Sequence, residues 1–191
     1  MIGALVAGIT GSGGASLSSY ESIATATGTG SSGTITFSSI PSTFKHLQIR
    51  GIARSDGATT TNTYLTLQFN GDTATNYAMH YLRGDGTTAT ALGVVTLASI
   101  QLRNGLIRNN GLASTMSVYV IDILDYAATT KNKTVRSFDG VEENNTNAQS
   151  VLEIASGLWL NTNAISSISV NSYSGNFTTA TTFALYGIKE A

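Results

Sequence analysis

The sequence predicts an all-β fold, an antiparallel two-sheet β-sandwich of jelly-roll-like type with about eight or nine strands and an N-terminal arm. Three observations predict it. Apolar and polar residues alternate from Tyr20 onward. Runs of Gly, Asn, Asp and Ser separate the alternating segments. No segment sustains a helical period. A period of two sends one set of side chains to a core and the other to solvent or a contact.

The chain begins with an apolar run, Met1-Ile2-Gly3-Ala4-Leu5-Val6-Ala7-Gly8-Ile9, and continues through Gly11-Ser12-Gly13-Gly14-Ala15-Ser16. It lacks the basic flank of a signal peptide and is far shorter than the ~20 residues that span a bilayer. Residues 1–19 therefore read as an arm and linker, and residues 20–191 as a single β-sandwich domain. Ile2, Leu5, Val6 and Ile9 are the candidate contacts of that arm, with a partner or a sister subunit.

The expected strands follow in order. Tyr20–Thr27 comes first. In the next three, Ile35/Phe37, Leu47/Ile49/Gly51/Ala53 and Leu65/Leu67/Phe69 form the core sets, with Ile52 out of phase. Later come Ser114–Tyr126, Lys131–Gly140, Ser150–Leu160, Ile165–Ser172 and Thr182–Lys189. Turns are expected at 28–33, Ser55-Asp56-Gly57, Asn70-Gly71-Asp72, Asn104-Gly105 and Gly175-Asn176. Pro41 falls just after a strand, where its missing N–H does no harm. Ala89–Leu102 is apolar without clear alternation and reads as a strand or as a loop packed on a neighbour. Within Met116–Tyr126, Val118, Val120 and Leu124 share one face while Tyr119, Ile121 and Ile123 share the other. Both faces are apolar, so this strand is expected to be central and covered on each side.

Composition narrows the function classes. Charged residues make up 11% of the chain, against about 25% in ordinary globular domains. Net charge is −1 and no block of Lys or Arg exists, which argues against a charge-driven grip on nucleic acid or an anionic membrane. Cys is absent, so disulfides and thiolate metal sites are impossible. Thr, Ser, Ala and Gly dominate. Such small side chains suit pleated strands and polar interfaces.

No catalytic constellation emerges. His46 and His80 lie far apart in sequence, and no local motif links either to Asp122 or Asp125, so packing or surface roles are expected. Asp122 shares a strand face with Val118, Val120 and Leu124. It reads as a structural buried carboxylate, bonded or paired with Arg50 or Arg136, rather than as an acid catalyst. Asp125 is expected to cap the strand end. The glycine run 8–14 lacks the Lys of a phosphate loop. Asp56, Asp72 and Asp85 are isolated turn acids without the spacing of a calcium loop. The Asn-x-Thr matches at Asn132, Asn144 and Asn176 are the number that chance supplies in such a chain. Glu142, Glu143, Asn144, Asn145 and Asn147 with Thr59-Thr60-Thr61-Asn62 offer a sugar-binding rim, with Trp159 as a stacking platform if exposed; an ordinary loop and a buried Trp is the plainer reading. No enzyme activity, cofactor, metal or small-molecule substrate is expected.

Several stretches together carry a family resemblance: 20–24 (YESIA), 39–50 (SIPSTFKHLQIR), 120–126 (VIDILDY) with Lys131 and Arg136 after it, 156–161 (SGLWLN) and 183–188 (FALYGI). The pattern resembles small virion structural proteins of tailed bacteriophages, especially phages of cyanobacteria and marine bacteria. The resemblance implies a β-sandwich component of the outer capsid surface. Its expected role is a capsid decoration (cement) protein that binds the major capsid protein as a homo-oligomer, a trimer. The alternative it implies is a head-fibre or tail appendage that binds a host-surface glycan or receptor. It implies no catalytic residues.

Overall fold

The computed structural model of the protein describes residues 19–58, 63–144 and 150–189. They form twelve strands: β1 (Tyr20–Thr27), β2 (Thr34–Phe37), β3 (His46–Ala53), β4 (Thr63–Phe69), β5 (Tyr77–Gly84), β6 (Ala89–Leu97), β7 (Ile100–Leu106), β8 (Ser117–Leu124), β9 (Lys133–Val141), β10 (Val151–Trp159), β11 (Ile168–Ser172) and β12 (Thr182–Ile188). The large sheet has eight strands in the order β1-β12-β3-β8-β9-β10-β5-β6, and the small sheet has four in the order β2-β11-β4-β7. All strand pairings are antiparallel. The chain passes repeatedly from one sheet to the other, and the two sheets make the expected β-sandwich. The candidate arm residues Ile2, Leu5, Val6 and Ile9 lie outside the described residues.

The core lies between the sheets. Leu47, Ile49, Ile121, Ile123, Phe183 and Leu185 point inward from the large sheet and meet Leu65, Leu67, Phe69, Ile100, Ile168 and Val170 of the small one. Each such side chain, fully buried, contributes about 1.5–3 kcal/mol. Phe69, Tyr77 and Trp159 form an aromatic cluster with ring centroids 5.6 to 6.3 Å apart. The Trp159 Nε1–H donates to Asp72 Oδ2 at 2.7 Å, which satisfies the one polar atom of a buried indole. Asp72 closes the turn that joins β4 to this cluster. Asn70 and Gly71 both have positive φ (54° and 67°), and Asp72 N–H donates to Phe69 O. That is the two-residue turn Asn-Gly favours in antiparallel hairpins.

Three strands exceed the sequence expectation. β5 was not expected, and the ambiguous stretch Ala89–Leu102 resolves into β6 and the start of β7, in different sheets. Asn104-Gly105 is not a turn: it lies inside β7. Gly105 is needed there because a Cβ would sit 2.6 Å from Asp139 Oδ2. Both edges of the large sheet are irregular. β1 carries an extra residue between Ser22 and Ala24, and β6 carries one opposite Tyr77 and Met79, with Thr96 at φ 62°. Arg54 ties down the segment before β8 by donating to the carbonyls of Asn109, Gly111, Leu112 and Thr115.

Candidate functional site

The middle of the large sheet departs from the usual pattern of polar outside and apolar inside: polar groups enter the inner face and large apolar ones stand on the outer. β9 turns Lys133, Ser137 and Asp139 inward and exposes Phe138. β10 turns Glu153 inward and exposes Leu152 and Ile154. β8 is central, as expected, but covered on one face only: Tyr119, Ile121 and Ile123 are buried, whereas Val118, Val120 and Leu124 are exposed. The small sheet covers the inner face, and no other layer exists among the described residues.

Strand register aligns these exposed residues into rows across the sheet. One row runs Val120–Phe138–Ile154–Leu82 over β8, β9, β10 and β5. The next runs Ile52–Val118–Gly140–Leu152 over β3, β8, β9 and β10. Val118, Leu152 and Leu82 are each 55% exposed, Ile154 54% and Phe138 51%. With Ile52 and Val120, and about 150–200 Å² per whole side chain, the band amounts to roughly 600 Å² of apolar surface. The largest such patch on an ordinary monomer is about 300–600 Å². A stable interface takes about 800 Å² per partner.

A polar row borders the band: Gln48–Asp122–Arg136–Ser156–His80. Asp122 is therefore half-buried on the outer face, not a buried carboxylate. Its Oδ1 accepts from Gln48 Nε2 at 2.7 Å, and Arg50 Nε donates to Gln48 Oε1 at 2.6 Å. The expected hydrogen bond thus exists, with glutamine between the acid and Arg50. Arg136 stands opposite Asp122 in the register.

At the other end of the band lies a groove of ≈ 670 Å³. Met116, Val118, Val141, Val151 and Leu152 supply its apolar walls, and Gly84, Gly86 and Gly140 leave its floor open. Asp85 and Glu142 stand on its rim. Both are occupied within the chain. Asp85 Oδ1 accepts from Thr87 and Thr88, and Glu142 Oε1 accepts from Asn144 N–H and Ser150 Oγ–H.

Comparison with family models, curated proteins and solved structures gives no match. The reading of this face therefore rests on its own geometry.

Among the described residues the buried acids are Glu143, which accepts from Leu112 N–H, and Asp139 and Glu153, neighbours across β9 and β10 beneath the band. Burial pushes Asp139 up to about 7, against a hydrogen bond from Ser137. Burial, with Asp139 beside it, pushes Glu153 up to about 8, against the Arg103 N–H bond and the Arg83 and Arg103 charges. Burial also raises the Tyr119 phenol. Asp139 Oδ2 and Glu153 Oε2 have no hydrogen-bond partner among the described residues. Sequence reasoning passed over both acids, although each occupies an inward slot of the period-two pattern.

The other sequence candidates separate. Asp125 ends β8 as expected, accepting from Lys131 Nζ at 2.8 Å while its N–H donates to His46 Nδ1. His80 is exposed on the outer face of β5. Trp159 is buried, so it offers no stacking platform. Residues 59–62 and 145–149 of the supposed sugar rim lie outside the described residues. The small sheet's outer face is hydroxyl- and amide-rich: Thr34 bonds Asn171, and Thr36 bonds Ser169.

Proposed function

We propose that this protein is a structural subunit, a capsid decoration protein of a phage head, which acts by binding rather than catalysis. One observation carries the reading: a sheet that buries Asp139 and Glu153 on its inner face and presents a roughly 600 Å² apolar band outward. Such a band lowers the free energy of the protein only when something covers it. Residues that resemble phage virion proteins supply the identity of the partner, the major capsid protein.

On this reading the Val120–Phe138–Ile154–Leu82 row of the large sheet meets the capsid, and the hydroxyl-rich face of the small sheet meets solvent. Low charge is tolerated because the apolar face is hidden in the assembly. Decoration stabilises the shell by linkage: a protein that binds only the assembled lattice shifts the equilibrium toward that lattice.

Phe138→Asp combined with Ile154→Asp tests this. Both side chains point outward, so circular dichroism should remain that of the parent. Co-sedimentation with purified undecorated heads should lose occupancy by at least about tenfold, the effect of ~1.4 kcal/mol. Full occupancy by the doubly charged variant would sink the proposal.

A further inference from the structure

We propose that the groove over Gly140 receives residues 2–9 of a neighbouring copy, so that copies are linked arm to groove. The inference deepens the reading of this chain as an assembly subunit and rests on it.

The chemistry of the two parts matches. The segment carries Ile2, Leu5, Val6 and Ile9, and no charged side chain occurs before Glu21. The groove offers apolar walls, and its rim acids are already bonded within the chain. At ≈ 670 Å³ it falls in the size class of sites that enclose several apolar groups. Gly140 cannot acquire a side chain to fill it, because a Cβ there would lie 2.5 Å from Val151 O. The open floor is thus a fixed property of the β9–β10 register.

The reach favours a neighbour over the same chain. β1 starts at Tyr20, which pairs with Ile188 at one edge of the large sheet. Register puts Tyr20 on the outer side, where Arg50 lies over its ring at 5.5 Å. The groove lies on β9, four strand spacings of about 4.8 Å across and six residues of about 3.3 Å along, hence roughly 28 Å away. Segment 10–19 joins Ile9 to Tyr20 and contains Gly11-Ser12-Gly13-Gly14. A relaxed linker of that kind spans roughly 18 Å, and even full stretch gives only about 35 Å. The chain's own groove demands most of that extension, which disfavours it; a copy whose groove lies nearer Tyr20 is reached by the relaxed linker. Each copy then gives one arm and receives one. A head-to-tail contact of this kind closes into a ring when the rotation allows, which is how the expected trimer would form.

The test uses the full chain in solution and needs no capsid. The parent should have a mass that is a multiple of 19.8 kDa. The arm variant Leu5→Asp/Val6→Asp should fall to a single chain and bind a synthetic peptide of residues 1–12. The groove variant Val118→Gln/Leu152→Gln changes two outward side chains, so it should fold. It too should be a single chain, and it should bind the same peptide at least about tenfold more weakly. A single-chain parent would overturn the proposal, as would an arm variant that stays oligomeric or equal peptide binding by both variants. Failure of the parent to bind heads, with its arm–groove oligomer intact, would instead count against the capsid reading alone.

Discussion

At the scale of single residues, the acids that matter are the buried ones. Asp139 and Glu153 face Tyr119 on β8, Ser137 on β9 and the Arg103 and Arg83 charges. Folding raises both carboxyls, to about 7 and about 8. In the unfolded chain both titrate near the ordinary ~4. Between those values the folded state holds the extra protons, so stability falls as pH rises. It is fully present below about pH 4 and is lost through the folded values. Asp72, Asp85 and Asp125 run the other way, since hydrogen bonds hold them below the ordinary range. Their contribution is present above that range and lost beneath it. The optimum therefore lies near pH 5. Urea unfolding should give lower stability at pH 9 than at pH 5, with Asp139 contributing up to roughly 3 kcal/mol of the loss. Asp139→Asn should flatten the dependence by most of that amount; an unchanged slope would show that Asp139 is not its source.

At the scale of elements, β8 states the asymmetry of the large sheet within adjacent residues. Ile121 is fully buried, while Val118 and Val120 point to the uncovered side. Ile121→Ala should cost about 2–5 kcal/mol, as core truncations do. Val118→Ala should cost under about 1 kcal/mol in dilute protein. Comparable losses on chemical unfolding would mean that the outer face is covered even in the single chain. The strands around β8 were legible because alternation survives in them: Leu65/Leu67/Phe69 and Ile35/Phe37 fall on one face. β5 was not, because Tyr77, Met79 and Tyr81 alternate with Ala78 and Leu82, which are themselves apolar. β6 was ambiguous because it is the outermost strand, with most of its residues exposed. The site was half legible. Two apolar faces on Met116–Tyr126 marked a second apolar surface, although the cover expected for it is absent among the described residues. Only the register joins that surface to Phe138, Ile154 and Leu82. Asp122 was placed on the correct face of its strand, but that face proved to be the outward one.

At the scale of the whole molecule, the sandwich has two unlike outsides. One presents Thr, Ser and Asn in bonded rows, and the other presents the apolar band with its groove. A monomer gains nothing from that division, whereas a subunit is oriented by it. Association of copies through the groove must stabilise the folded chain by mass action. The thermal midpoint of the isolated protein should therefore rise with protein concentration; a midpoint constant over a hundredfold range would indicate no self-association.

The bulged rims of the large sheet bear on the same point. Exposed strand edges are templates for open-ended stacking, and an extra residue or a short strand spoils the template. β1 and β6 each carry such an extra residue, β7 is irregular against β4, and β2 spans only Thr34–Phe37. Lateral propagation of the hydrogen-bonded ladder is thus interrupted on every side. A chain this poor in charge would otherwise be prone to form fibrils. Its irregular margins leave face-on contact as the open route, which favours a coat of finite size over a filament.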